Sequence, residues 1–330
     1  MYGSPNFDSS SYYPGSGEIV AKKIIFIHGR AVKPSESDLR SLWFDAVIHG
    51  LQRDYGEAAA ERFNATAKEF VYYGDLFNDF LHETQGPEVS SDIAGRQDAL
   101  ETLKRYKKPD FNRAVYNRLA SMAFWKEALA DIFSGVLSII RAGTPLISVA
   151  VPDMAHYWDQ ESSLGKDVHL RLSEVLKEAF DNGDEIMLVA HSLGTIISYD
   201  NLWKFSHHEA YSSDYGQSKK IDLFVTLGSP LGDENAKQHL QGRVNRGRPK
   251  YPHNIKRWVN LSAEDDYVSH DNKIQNDFHE MYKEGLLEEP LRDIYPLYNL
   301  TVQNEKPNPH SAIGYLVNPE FIEVLNSWIS

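Results

Sequence analysis

The chain predicts an α/β fold, a doubly wound and mostly parallel sheet carrying a helical, cap-like insertion. Three observations carry this. Short apolar runs rich in β-branched residues alternate with helical patterns, which calls for parallel strands joined by crossovers. The runs are apolar throughout, as in Ile24 to Ile27 and Ile186 to Ala190, the pattern of strands covered on both faces. Polar residues gather just past the ends of these runs, where the carboxyl ends of parallel strands open a crevice for chemistry.

Taken in order, Met1 to Gly17 is rich in Ser, Gly, Tyr and Pro, with no basic start and no apolar centre. It does not read as a signal peptide. The first strand, Lys22 to Ile27, ends at His28-Gly29-Arg30. Ser35 to Asp38 offers caps for a helix whose positions Leu39, Leu42, Trp43, Ala46, Val47 and Leu51 recur at helical spacing. Gly56 closes that helix, and Phe70 to Gly74 is the second strand. Residues 80–165 break the alternation. Arg113 to Asn117 and Leu119 to Ile140 carry helical patterns that Gly143, Pro145 and Pro152 end. So long a connection reads as a mostly helical insertion within one domain, 1–330. Alternation resumes with a helix over Gly165 to Phe180, a turn at Asp181 to Asp184, and the strand Ile186 to Ala190. Strands follow at Ile221 to Leu227, Ile255 to Leu261 and Tyr295 to Val302. A last helix runs through Phe321, Val324, Leu325 and Trp328.

Composition narrows the function classes. The net charge of -13 argues against nucleic-acid binding, because a negative surface repels phosphate. The locally basic run Arg243 to Lys250 reads as a solvated loop, with anionic headgroups or a partner as the other reading. The absence of cysteine removes thiol catalysis and thiolate metal sites. The most apolar stretch, Ala128 to Val151, is interrupted by Asp131, Arg141 and Pro145, so no integral membrane segment is expected. The expectation is a soluble, cytoplasmic protein.

The candidate chemistry centres on Ser192. An apolar strand run stops there and a helical pattern begins, with small residues two before and two after, Ala190 and Gly194. That suits a tight strand-to-helix turn exposing a nucleophilic Oγ; the other reading is a serine that caps the helix. A serine hydroxyl needs a base, and the base an orienting group. His310 follows the last strand, and Asp266 follows the strand before it. Asp265 competes for the acid role, and His270 is the weaker alternative for the base. His191 should point away from the Ser192 Oγ, and His28 should brace the loop at Gly29. Oxyanion stabilisation asks for two backbone N–H donors, assigned to Leu193 and Arg30.

Jointly these pieces resemble the α/β-hydrolase superfamily, on its lipase/esterase side. The resemblance rests on the His28-Gly29 loop, Val189 to Gly194, Thr226 to Pro230, Asn260 with Asp266-Tyr267-Val268, and Asn308-Pro309-His310, spread over about 300 residues in the family's order. Asp266-Tyr267-Val268 fits the family's acid motif better than a motif placed on Asp265. Ala190, where glycine is commoner, is the departure. The resemblance implies an eight-strand-like sheet and hydrolysis of a small-molecule or lipid-like ester through an acyl-enzyme. It implies a Ser192-Asp266-His310 triad, no cofactor and no metal. Acyl transfer and thioester hydrolysis share this machinery, and a non-catalytic binding or scaffold protein could keep the fold.

Overall fold

The computed structural model describes residues 21–30, 32–85, 92–121, 157–158, 163–216, 218–269, 271 and 273–330. Met1 to Gly17, the helical pattern beyond Ser121 with its terminating Gly143, Pro145 and Pro152, the stretch Ala128 to Val151, and His270 lie outside the described residues.

The strands are β1 (Lys22–Ile27), β2 (Ala67–Val71), β3 (Glu185–His191), β4 (Ile221–Leu227), β5 (Ile255–Ala263) and β6 (Arg292–Leu297), with a small hairpin of β7 (Val302–Gln303) and β8 (Lys306–Pro307). Helices α1 (Glu36–Tyr55) and α2 (Glu57–Ala65) lie between β1 and β2. Between β2 and β3 come α3 (Gly74–Gln85), α4 (Ile93–Leu103), α5 (Arg113–Ser121) and α6 (Ser163–Asn182). Helices α7 (Leu193–His207) and α8 (Glu209–Tyr215) precede β4. The remaining helices are α9 (Glu234–Lys237), α10 (Gln275–Lys283), α11 (Ala312–Leu316) and α12 (Pro319–Ile329).

The six main strands form one sheet in the order β2-β1-β3-β4-β5-β6, and every ladder in it is parallel. Side-chain alternation sends Ile24, Phe26, Met187 and Val189 into a core with α1, α2 and α12. Ile25, Ile27, Leu188 and Ala190 enter a second core with α6, α7 and α10. Helices therefore cover both faces, which is why the strand runs are apolar end to end. Helix α6 illustrates the packing: Val168, Leu172, Leu176 and Ala179 are fully buried at helical spacing. Each such Val or Leu contributes roughly 1.5–3 kcal/mol over an exposed one.

The chain leaves β1 for β2 on one side and later returns to the other side of β1 as β3. The carboxyl ends of β1 and β3 are thus the topological switch point, the usual crevice of such sheets. The loop at Gly29 and the turn at Ser192 both open there.

Three elements differ from expectation. Strand β2 stops at Val71, because the Tyr73 N–H donates to His28 Nε2 (3.1 Å) instead of to a strand neighbour, and α3 begins at Gly74. The last sheet strand is Arg292–Leu297, not Tyr295 to Val302. Beyond it Asn299 turns its amide to the Pro309 and Ser311 carbonyls, taking the chain off the sheet. The sheet holds six strands among the described residues, against the eight the resemblance implies. No helix among the described residues is long and apolar enough to cross a membrane.

Candidate active site

Ser192 occupies the turn between β3 and α7 with φ 54° and ψ −125°, a conformation that L residues rarely adopt. Its N–H donates to Leu227 O (3.0 Å) on the neighbouring strand, and its carbonyl accepts from Thr195 N (2.9 Å) and Thr195 Oγ1 (2.7 Å). These bonds hold the turn in its strained geometry. The Ser192 side chain makes no capping bond to α7. Its Oγ lies 2.9 Å from His310 Nε2 instead, so the capping alternative falls away.

Close approach at this turn explains the small residues around it. A Cβ on Gly194 would sit 2.6 Å from His28 O, and one on Gly29 would sit 2.6 Å from Ser192 Cβ. The first turn of α7, whose leading N–H groups have no intrahelical acceptor, is therefore packed directly on the loop after β1. Leu193 and Arg30 belong to these two abutting segments.

His310 Nδ1 lies 3.0 and 2.9 Å from the two oxygens of Asp266. An ionised carboxylate only accepts, so in the neutral imidazole Nδ1 carries the proton and Nε2 presents its lone pair to the Ser192 hydroxyl. The Asp266 side chain is fully buried. It also accepts from Tyr315 OH (2.7 Å) and Val268 N (3.0 Å), which satisfies a charge that would otherwise be costly to bury. Asp265 adopts φ 60° and directs its carboxylate to Tyr116 OH (3.1 Å), away from His310. The pairing of β5 with β6 shifts register between Leu261 and Ala263, just before this loop. Such irregularities bend a strand end and re-aim the loop beyond it.

The backbone around His310 is tied on three successive carbonyls. Asn299 Nδ2 donates to Pro309 O and Ser311 O, both at 2.9 Å, and His191 Nε2 donates to His310 O at 2.9 Å. His191 is thus turned away from the Ser192 Oγ and used as a brace. Burial, then the neighbouring His310, pushes its pKa well down and keeps it neutral. His28 is a second brace. Its Nε2 accepts from Tyr73 N, so its Nδ1 carries the proton and donates to Gly29 O (2.7 Å), while its carbonyl accepts from Tyr73 OH (2.6 Å). Burial lowers its pKa well below the usual histidine value, with Lys33 adding to the effect.

The structure therefore brings Ser192, Asp266 and His310 together, with His28, Gly29, His191, Leu193 and Gly194 around them. Sequence reasoning gives no role to Tyr315 or Asn299, and it names Gly228 only within the Thr226 to Pro230 motif, without a part in the site. Gly228 has φ 54°, and a Cβ there would meet Asp266 Oδ2 at 2.8 Å and His310 Nδ1 at 3.1 Å. Its position directly after β4, in Gly228-Ser229-Pro230, was the available signal. Tyr315 and Asn299 left none, since a buried tyrosine or a loop asparagine has many ordinary uses. Among the described residues, no group of three or more His, Asp or Glu side chains is arranged to hold a metal ion. A hydroxyl, an oriented imidazole and a buried carboxylate in series can activate the hydroxyl for attack on an electrophilic carbonyl. Compared with family models, with curated proteins and with solved structures, the chain matches none.

Proposed function

We propose that the protein is a serine hydrolase of the α/β-hydrolase kind, cleaving carboxylic esters, with lipid-like acyl chains among its substrates. The observation that carries this reading is the unbroken chain from Ser192 Oγ to His310 Nε2 (2.9 Å) and from His310 Nδ1 to Asp266 (2.9 Å), starting on a positive-φ turn. His310 takes the Ser192 proton as Oγ attacks the carbonyl carbon. The resulting oxyanion is held by the N–H groups of Arg30 and Leu193. His310 then protonates the departing alcohol, leaving an acyl-enzyme, and activates the water that releases the acid. Asp266 keeps the imidazole in the required tautomer and stabilises the imidazolium. In this reading the protein works without a cofactor, in the cytoplasm.

A fluorophosphonate probe tests it. Wild type is labelled stoichiometrically, Ser192→Ala not at all, and His310→Ala far more slowly. Failure to label correctly folded wild type would overturn the proposal. For the acid, Asp266→Asn slows ester turnover far more than Asp265→Asn, and equal small effects would remove Asp266 from the site. A series of esters of increasing acyl length then sizes the pocket.

A further inference from the structure

Two cations stand beside the loop at Gly29, the buried Lys33 and the half-buried Arg96, and among the described residues neither is ion-paired to an acid. Lys33 is only 9% exposed, and its Nζ donates to Arg30 O at 2.6 Å. Its backbone is clamped on both sides by Asn78, which accepts from Lys33 N (3.0 Å) and donates to Lys33 O (2.9 Å). Arg96, in the first turns of α4, has a buried Nε without any hydrogen-bond partner. Neither side chain forms an ion pair among the described residues. Asp92, the carboxylate that attracts Arg96, is engaged by Gly95 N (2.8 Å), Gln303 Nε2 (3.1 Å) and Asn304 Nδ2 (2.8 Å). Arg171 makes the contrast: it holds Asp75 through both carboxylate oxygens, each at 2.6 Å.

In a chain with 47 acidic residues and a net charge of -13, a buried lysine and a buried guanidinium Nε that no carboxylate among the described residues pairs with are conspicuous. Burying an unpaired charge is expensive, and the two also repel each other. Burial, with that repulsion from Arg96, holds the Lys33 pKa well below the ordinary lysine value. Their place in the fold says what would relieve the cost. Arg30, whose carbonyl Lys33 holds, is one residue, about 3.8 Å of Cα path, beyond the Gly29 that touches Ser192. Helix α4 packs on β7 and on α11, which flank His310 in sequence. Lys33 thus belongs to the loop that carries Arg30, and Arg96 to a helix that touches segments on both sides of His310.

We infer that the substrate carries an anionic oxygen group, a carboxylate or a phosphate, which Lys33 and Arg96 bind beside the scissile ester. This inference rests on Ser192 acting as the proposed ester-cleaving nucleophile. The anion supplies the missing charge and accepts from Arg96 Nε and from the Lys33 N–H groups that Arg30 O leaves free. Arg96 offers the planar donor fork that suits carboxylate and phosphate.

The test pairs 4-nitrophenyl butanoate with its 3-carboxy analogue, and a series of 4-nitrophenyl alkanoates with their ω-carboxy counterparts of equal chain length. The readout is the anionic-to-neutral ratio of kcat/KM in wild type divided by that in Arg96→Gln and in Lys33→Met. Intrinsic ester reactivity cancels in this double ratio. At least one pair gives about tenfold or more, the scale of a charge-assisted hydrogen bond. A double ratio of one throughout, with both esters slowed equally, would assign the cations to the oxyanion instead and overturn the inference. A second arm needs no turnover. Inorganic phosphate at constant ionic strength raises the melting temperature of Ser192→Ala, and adding Arg96→Gln abolishes the shift. No shift in either protein counts against the anion site. Fluorophosphonate labelling in parallel separates the two failures: labelled enzyme with no anion preference loses only the substrate class. Unlabelled but phosphate-stabilised protein loses only the hydrolase reading.

Discussion

The strain at Ser192 can be measured by comparing two substitutions that both remove its hydroxyl. Ser192→Ala and Ser192→Gly lose the same bond to His310, so that loss cancels between them. At an ordinary buried position the glycine variant is the weaker one. It forfeits a buried methyl, about 0.8 kcal/mol, and gains unfolded-chain freedom worth about 0.4–1 kcal/mol, together about 1.5 kcal/mol. At φ 54° the alanine keeps a Cβ in a sparsely populated region, which costs about 1–3 kcal/mol that glycine does not incur. The two contributions oppose each other, so Ser192→Gly lies between about 0.5 kcal/mol less and about 1.5 kcal/mol more stable than Ser192→Ala. Ser198 is the internal control, because it is fully buried within α7. There, Ser198→Gly falls below Ser198→Ala by about 1 kcal/mol or more. Urea denaturation followed by tryptophan fluorescence reads all four variants. If Ser192→Gly is less stable than Ser192→Ala by as much as at Ser198, the turn is unstrained and the argument for a specially held hydroxyl fails.

Other predictions rest on neighbouring contacts. Tyr315→Phe removes a donor to Asp266 and strands Ala263 N, which donates to Tyr315 OH at 2.8 Å. It lowers stability by about 2 kcal/mol by denaturation and lowers kcat more than it changes KM in steady-state assays. Gly194→Ala puts a Cβ 2.6 Å from the unyielding His28 carbonyl. It costs about 1–3 kcal/mol of stability and, by displacing the loop at Gly29, slows fluorophosphonate labelling. His191 has a folded pKa well below its unfolded value of about 6.5, so the stability it contributes is present above pH 6.5 and is lost as pH falls. His191→Gln should therefore reduce the stability lost between pH 7 and 5.5 by about 1 kcal/mol. An unchanged pH dependence would show that His191 is not held neutral.

Much of the site was legible because its pieces sit at chain positions where backbone patterns change. Ser192 stands where a strand period gives way to a helix period, and Gly194 and Gly29 are small for reasons that the turn itself imposes. The choice between Asp265 and Asp266 lies beyond strand patterning. It turns on the positive φ of Asp265 and on which carboxylate Tyr315 and His310 can reach, contacts made across 44 and 49 residues. The last strand was misplaced for the same kind of reason. Tyr298 to Thr301 are apolar enough for a strand, but Asn299 finds acceptors on either side of His310 and draws the chain away. Lys33 and Arg96 gave no signal, because a lone Lys before a helix and a lone Arg within one are ordinary surface residues until the fold buries them.

The switch point between β1 and β3 has a kinetic consequence. The groups that meet there are drawn from Gly29, Ser192, Asp266 and His310, so each partnership closes a long loop of chain. The bond from Lys22 Nζ to Trp328 O, spanning 306 residues, ties the first strand to the final helix in the same way. Contacts of such sequence separation carry a large entropic cost before they return any stability, and they form late. Helical signal in a refolding experiment should therefore recover well before Ser192 becomes reactive. In the proposed reading a partly folded molecule would carry its serine unarmed, and the hydroxyl would acquire its base only when the whole sheet has closed around it.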